Sequence, residues 1–516
     1  MPNKQRLGYF PQYLERRAMK LKNLFICKNT EASIEFIEGF KPDIVVNATG
    51  SVPLLPNIPG LKENLEAGNV STIFDLVDHV DSYPEDLTGK KVVVIGGGAA
   101  GISAAIAASR NGAQTLLIEQ RGFAGGTGAF MPIPAFCPYT DGVHIVSQGI
   151  AYEILDKVKK QSNAECQRMN KDKLDWVTID TEVYKRVCDE MLTSSGVEIL
   201  FHTLCTQVLC EDGFMKGLVI ANKNGRSIIK AKAYIDATGD ADIAYMAGVP
   251  TLKGDQDDPT VQPGTMCFVV SGIDKDKTLS YIASQDDDQF SQLVTLAQEK
   301  GDIPEGRKRV SSFSWLTDTT ASFNFGHVFG VDGTDAISLT KGNIKGRQLA
   351  KVYTDFLRKY VPGFENAQLI STGDQVGIRE SRRIVADYMM SVEDFKKRRS
   401  FEDEIARNCY FIDVHLPNKE STMVMEYLPE GESHGISYRS LLPQGMENLI
   451  VAGRTIGSDR LINSALRVMP NCFTMGQAAG VAAYLAALKN VGYRSIDIQQ
   501  LQDLLISQGA WILRKK

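Results

Sequence analysis

The pattern of apolar and polar positions divides the chain into a few legible elements. Val92 to Ile95 is an apolar run short enough for a buried strand, and the alanine-rich stretch Ala99 to Asn111 has the composition of a buried helix. A second short apolar run, Thr115 to Ile118, follows, so this segment reads strand, helix, strand. Thr181 to Ser194 predicts a helix, and Val197 to Phe201 a third strand of the same sheet. Three alternating stretches, Thr203 to Leu209, Met215 to Ala221 and Arg226 to Ala231, predict an antiparallel meander with turns at Glu211-Asp212-Gly213 and Asn222 to Gly225. Tyr234 to Ile235 and Asn448 to Ala452 read as two more buried strands. Pro470, tolerated in a first turn because its missing N–H would be orphaned anyway, opens a helix to about Leu488. Residues 251–440 are mixed and more polar. Near the N-terminus, Gln12 to Lys22 has a helical pattern and Ile44 to Val46 reads as a strand leading into Asn47-Ala48-Thr49-Gly50.

Glycines supply the chemistry of the first of these segments. Gly96, Gly98 and Gly101 give G-x-G-x-x-G at the mouth of the Ala99 helix. Gly96 serves the tight turn, Gly98 lets a pyrophosphate approach the backbone, and Gly101 allows close helix–strand packing. With Ala100, they put the positive end of a helix at the phosphates. The second strand ends in Glu119, where a carboxylate accepts ribose hydroxyls, with Gln120 beside it. Gly125-Gly126-Thr127 follows within a few positions. This pair resembles the one after the second strand in FAD proteins of the glutathione-reductase-like superfamily, and Asp236-Ala237-Thr238-Gly239-Asp240 is similar to the A-T-G-D strand end of the same group. Three separated segments thus suit one extended dinucleotide, and FAD is the expected cofactor.

Composition narrows the setting. At 516 residues the chain is long enough for two or three domains. A net charge of −5 argues against a broad nucleic-acid footprint. Among apolar runs, none reaches the roughly 18 residues of a membrane span, and the first residues lack the apolar core of a secretory signal, so the expected location is cytoplasmic, with no membrane partner. Nine cysteines are dispersed without C-x-x-C, which predicts reduced thiols and no structural metal.

From Lys90 to about Leu488 the chain resembles the FAD-dependent oxidoreductases of the FAD_oxidored type. The match is carried by GGGAAGISAAIAASRNGAQTLLIEQ with GGTG, AKAYIDATGDADIAYMAGVP, GVDGTD, GIRESRRIVADYMMSVEDF, YRSLLPQGMENLIVAGRTIG and LRVMPNCFTMGQAAGVAAYLA. The resemblance implies an α/β fold: a glutathione-reductase-like FAD-binding Rossmann domain of the succinate dehydrogenase flavoprotein branch, with the β-meander and an inserted α+β substrate or cap domain. The expected organisation is FAD binding by 89–250 and 441–490, a substrate or cap domain in 251–440, and a helical tail in 491–516. It implies that the Val208 backbone meets the adenine edge, that Thr238, Gly239, Asp240, Gly453 and Arg454 sit near the ribityl and pyrophosphate, and that Met469 to Cys472, including Asn471, aim N–H groups at the flavin. Residues 1–88, with A-T-G-x-x-P and a later I-P-G, resemble the closing part of a nucleotide domain in flavoproteins of the 2,4-dienoyl-CoA reductase and old yellow enzyme type. Their own glycine fingerprint would lie upstream, so they are expected to be an accessory layer or a fusion remnant.

Candidate chemistry lies in 300–470. Helical spacing would put Arg379, Arg382 and Arg383 on overlapping faces, to bind a substrate anion, FAD phosphates, or Glu380 and Asp387. Arg439 and Arg467 are further candidate cations. His327 and His415 are candidate proton donors or satisfied core histidines; Tyr438-Arg439 could face the flavin or pack, and Cys137 follows the glycine pair with no second cysteine nearby in sequence to support disulfide reduction. The function expected is hydride transfer between flavin N5 and a small, anionic organic substrate, with NAD(P)H or a redox protein as electron partner and a homo-oligomer left open. The alternatives are an FAD-binding tRNA-modification-type protein and a non-catalytic flavin subunit.

Overall fold

The computed structural model describes residues 92–162, 165–166, 176–255, 258–305, 308–416 and 423–513. The readings of residues 12–22 and 44–50 lie outside them. Four-residue apolar runs form β1 (Val92–Ile95) and β2 (Thr115–Ile118), both fully buried, on either side of helix α1 (Ala99–Arg110). Helix α2 (Thr181–Ser194) begins where the Asp180 carboxylate accepts from the N–H groups of Glu182 and Val183, and it returns the chain to β3 (Glu198–Leu200). The meander follows as β4 (Leu204–Glu211), β5 (Phe214–Asn222) and β6 (Gly225–Ile229) in a separate three-stranded sheet, before β7 (Ala233–Asp236). The parallel sheet runs Leu449–Val451, β7, β1, β2, β3, with Val92 opposite both Ala233 and Thr115. Buried on both faces, its strands are uninterrupted apolar runs, as a parallel sheet requires.

A second five-stranded sheet, with its own aromatic core, draws four strands from the polar middle of the chain and its edge strand, Glu165–Cys166, from before it. Its named strands are β8 (Phe268–Ser271), β9 (Ser312–Thr317), β10 (Thr320–Asn324) and β11 (Gln368–Thr372), all antiparallel to their neighbours. Phe313 and Phe323 stack at 5.2 Å inside it, and Phe268 stacks on Phe323 at 5.4 Å. Beyond it lies a hairpin, β12 (Ile412–His415) with β13 (Met423–Glu426).

Residues 379–383 do not form the helix that their spacing suggests. The segment is irregular, and only Arg383–Ile384 pairs, with Thr251–Leu252. Each arginine is drawn to a different partner: Arg379 donates to the Pro263 carbonyl at 2.6 Å, Arg382 to Asp242 at 2.8 Å and Arg383 to Glu380 at 2.7 Å. Three such pulls in different directions outweigh a weak helix propensity.

The last long helix, α3 (Met469–Lys489), is buried along nearly its whole length and packs lengthwise on α1. A Cβ at Gly476 would stand 2.1 Å from the Ala100 carbonyl oxygen, and one at Gly480 2.2 Å from that of Ala104. The helices therefore touch backbone to backbone. Gly480→Ala should cost on the order of 1–3 kcal/mol or more through overpacking, read as a lowered denaturation midpoint. An unchanged midpoint would mean that the helices can part without loss.

A polar chain supports the start of α3. Asn471 Nδ2 donates to Asn408 Oδ1 at 2.6 Å, and Asn408 Nδ2 meets His434 Nε2 at 2.9 Å. His434 Nδ1 faces the Gly435 carbonyl, so the neutral ring with its proton on Nδ1 satisfies both contacts. Burial pushes this imidazole down to about 4, with Arg407 adding to the effect against the Gly435 hydrogen bond. The unfolded chain binds the proton more readily, so stability falls as pH drops from about 6.5 towards 4. The loss should approach 3 kcal/mol at ~1.36 kcal/mol per pH unit. His434→Asn should flatten that slope in denaturation measured between pH 7 and pH 4.5. An equal slope in both proteins would place the pH dependence elsewhere.

Candidate functional site

The loop between β1 and α1 is held in shape from two directions. Gly96 has φ +99°, and a Cβ there would meet the Ala237 carbonyl oxygen at 2.4 Å, so this turn requires glycine. Gly101 closes the same contact from the helix side, its Cα facing the Gly96 carbonyl. Glu119 is buried at the end of β2, and both of its oxygens accept backbone N–H groups: Oε2 from Gly97 at 2.7 Å, Oε1 from Arg121 at 2.8 Å. Each oxygen keeps a further lone pair. Gly126, at φ +54°, faces Gly98 so closely that a Cβ would lie 2.6 Å from the Gly98 Cα, while the Gly98 Cβ direction is open apart from Gly126 at 3.8 Å. Helix α1 has no side-chain cap and no acid in its first turn, which leaves its N–H groups and positive dipole end for an anion.

A cavity of about 770 Å³ runs from this loop across the carboxyl ends of the parallel strands. Gly96, Gly98, Ala100, Glu119, Gln120, Gly126, Thr127, Thr238, Gly239, Asp240, Gly453, Arg454 and Cys472 line it, as do Arg379, His415 and Cys137. Strand ends at a change of direction in an open α/β sheet are where such crevices form. The turn after β7 is built around buried Asp236, which accepts from Thr238 and from the Ala244 N–H at 2.9 Å. Arg454 clamps it further, reaching the Gly239 carbonyl, Asp240 at 2.9 Å and the Ile378 carbonyl at 2.7 Å.

Several sequence candidates fall outside the lining. Gly101 and Gly125 lie behind it, with the Gly125 N–H donating to the Gly97 carbonyl at 2.8 Å. Val208 is buried within β4; the part that reaches the cavity is Thr203 to Cys205, because Thr203 is tied to Glu119 by a backbone hydrogen bond of 3.1 Å. The Asn471 side chain is committed to Asn408 and the Ala465 carbonyl. Arg382 holds Asp242 and lies 4.1 Å over the Tyr245 ring, so it braces the turn after β7. His327 stands behind His415, ring to ring at 4.9 Å, and does not reach the cavity. Arg439 pairs with Asp403 at 2.9 Å, and Tyr438 is buried with its hydroxyl on the Tyr493 carbonyl. Both are packing residues.

His415, a sequence candidate, does line the cavity, but its neighbours Phe411 and Asp413 were overlooked in sequence. Phe411, Asp413 and His415 alternate along β12 and its approach and line the cavity, while Ile412 and Val414 enter the core. That alternation was legible in the stretch YFIDVH. His415 Nε2 lies 3.2 Å from Asp413 Oδ1, Tyr410 donates to Asp413 Oδ2 at 3.4 Å, and Arg467 Nη2 is 3.7 Å from the same oxygen. Burial alone would raise the Asp413 carboxyl, but His415, Arg467 and Arg379 together hold it well below the usual carboxylate range. Burial, then Cys137 and Asp413, push the Tyr410 phenol well above its ordinary value, so it stays protonated. Cys409, which no sequence signal marked, lines the same wall as Cys137, and its thiol donates to the Thr140 carbonyl at 3.3 Å.

Comparison with known proteins decides the class. The family model for FAD dependent oxidoreductases matches residues 91–505. The chain belongs to that family. It is an FAD-binding oxidoreductase with Rossmann-type nucleotide binding. A second model, pyridine nucleotide-disulphide oxidoreductase, matches residues 22–132 of this flavoprotein. Dihydrolipoyl dehydrogenase of Acholeplasma laidlawii is 38% identical over 82 residues, 16% of this chain and 23% of that protein. NADH oxidase of Thermoanaerobacter brockii is 30% identical over 118 residues, 23% of this chain and 17% of that one. The flavoprotein thus spans under a quarter of the length of these curated relatives. The solved geranylgeranyl bacteriochlorophyll reductase-like protein of Thermoplasma acidophilum is similar at 14% identity, with 81% and 84% of the two chains covered and a TM-score of 0.43. No helix among the described residues is long and apolar enough to cross a membrane.

The residues present fit FAD. The bare Gly98–Gly126 passage, the uncapped α1 terminus and the buried Glu119 carboxylate stand along one cavity, whose volume lies within the ~300–1,000 Å³ of ligand sites. Glu119→Ala should weaken FAD by on the order of 1.5–3 kcal/mol, the worth of a hydrogen bond to a charged group, in equilibrium titration of the flavin-stripped protein. Glu119→Gln should lose less, because its amide oxygen can still accept one of the two backbone N–H groups. Equal affinity in all three proteins would exclude Glu119 as a ligand.

Proposed function

We propose that this flavoprotein moves a hydride between FAD and a small anionic organic substrate held at the Arg379–Arg467 end of the cavity. In this reading the chain has the glutathione-reductase-like arrangement, with residues 89–250 and 441–490 binding FAD and 251–440 shaping the substrate side. Glu119 would hold the ribose, the Gly96–Gly98 loop and Gly126 the pyrophosphate, and the Arg454–Asp240 turn the ribityl region. The flavin, when bound, supplies the hydride site.

The observation that carries the proposal is the charge balance opposite the glycine loop. Two guanidinium groups, Arg379 and Arg467, meet one carboxylate, Asp413, and Arg467 Nε has no hydrogen-bond partner among the described residues. Partly buried positive charge facing a cavity recruits an anion, and a guanidinium receives a carboxylate through two parallel hydrogen bonds. Asp413, ionised and with Oδ1 3.2 Å from His415 Nε2, favours a proton on that nitrogen, as carboxylate–imidazole pairs do. His415 is therefore the proton-carrying group of this reading, and Tyr410 is a neutral hydroxyl donor beside it. Phe130, Met131 and Phe136 line the cavity and limit water.

An anaerobic screen of small carboxylates against the oxidised and the reduced holoprotein, followed by flavin absorbance, tests the reading. Arg379→Lys and Arg467→Lys should keep the flavin but lower kcat/KM on the compound found by about ten- to a hundredfold, since an ammonium cannot reproduce the fork. Response to uncharged compounds alone, or full activity in both variants, would defeat the proposal.

A further inference from the structure

The wall that leads from the charged cluster to solvent is aromatic. Tyr410 is buried, its hydroxyl 3.4 Å from Asp413. Its ring lies 4.3 Å from that of Phe411, which is half-buried, and Phe411 stacks on Tyr427 at 4.5 Å with 28° between the planes. Tyr427 is 61% exposed. All three rings line the one cavity, together with Met425, itself 42% exposed. Exposure thus rises step by step along a continuous ladder that begins at the chemistry and ends at the mouth.

Packing alone does not account for the outer half of this ladder. A ring stacked for the sake of the core would be covered by it, whereas Phe411 and Tyr427 keep apolar surface turned to the cavity. A large apolar surface left at a cavity mouth beside polar groups is the signature of a ligand-binding wall. Aromatic faces prefer another flat ring at stacking distance. The inner end of the same wall offers one cationic cluster, and among the described residues none stands beside the Phe411–Tyr427 rings.

We infer that the Phe411–Tyr427 face is a substrate subsite, and that the substrate is an aromatic carboxylate. Its carboxylate meets Arg379 and Arg467, and its flat body lies along the ladder towards the mouth. This rests on the anionic-substrate reading above and narrows it: a short aliphatic acid would fill the charged end and leave the rings bare.

Titration of the holoprotein with cinnamate and with acetate, followed by perturbation of the flavin spectrum, separates the two readings. Cinnamate should bind at least about tenfold more tightly than acetate, the worth of one stacking contact with its buried area. Phe411→Leu and Tyr427→Ser should each weaken cinnamate several-fold while leaving acetate within about twofold. Tyr427, being exposed, can be replaced without disturbing the core, so a folding defect in the Phe411 variant would not rescue or sink the result. Cinnamate binding no tighter than acetate would overturn the subsite while leaving the anion reading intact. Variants that affect both acids alike, or neither, would do the same. If neither acid perturbs the flavin, both readings fall. If Tyr427→Ser weakens NADH and leaves cinnamate untouched, the ladder belongs to a nicotinamide ring and the inference is wrong.

Discussion

The contact on which the rest of the structure depends is the close passage of α3 along α1. Gly476 and Gly480 leave no side chain between the helices, so each meets the carbonyl of Ala100 or Ala104 directly. Helices usually pack 8–10 Å apart with side chains interleaved, and glycine on one face brings them nearer. The approach explains why α3 is apolar around almost its whole circumference: it is enclosed by α1, by the parallel sheet and by the helix Ile498–Ser507. It also draws two uncapped helix starts, Gly98 and Val468, to the same cavity, so two positive helix ends converge on it.

Around that seam the irregular turns are shaped by buried polar side chains. Asp236 gathers the turn after β7, Glu119 gathers the loops after β1 and β2, and Arg454 ties Gly239 to Ile378 across the sheet. Each satisfies backbone groups that no strand or helix partner could reach. The Arg379–Arg467 end of the cavity is different. There the Asp413–His415 pair of β12, Arg379 and Arg467 come together from three separate segments.

Much of the nucleotide region was readable because its determinants are local. The strand–glycine–helix order, the acid at the end of β2, the meander and the Pro470 helix start each depend on residues close in sequence. The end of the cavity around Arg379 and His415 depended on distant partners and was read less well. Arg379 to Arg383 look helical only while the Pro263 carbonyl, Asp242 and Glu380 are out of view. His327 and His415 carry equal weight as letters; only the fold sets one behind the other. Cys409 joins Cys137 on one wall from well over two hundred residues away, a proximity that no spacing rule encodes.

The parity of β12 has a consequence for how errors in this site would arise. Ile412 and Val414 face the core, and Phe411, Asp413 and His415 the cavity, so a slip of one residue would drive a carboxylate and an imidazole into the interior and turn two aliphatic chains towards the ligand. A hairpin with a single partner strand guards weakly against that. Here the register is bolted from outside the sheet: the Asp413 N–H donates to Ser464 Oγ at 2.9 Å, and the His415 N–H to Gln262 Oε1 at 3.1 Å. Neither Ser464 nor Gln262 is among the groups that carry the chemistry. They act as an index mark, and losing either would corrupt which residues form the site before it disturbed how any one of them reacts.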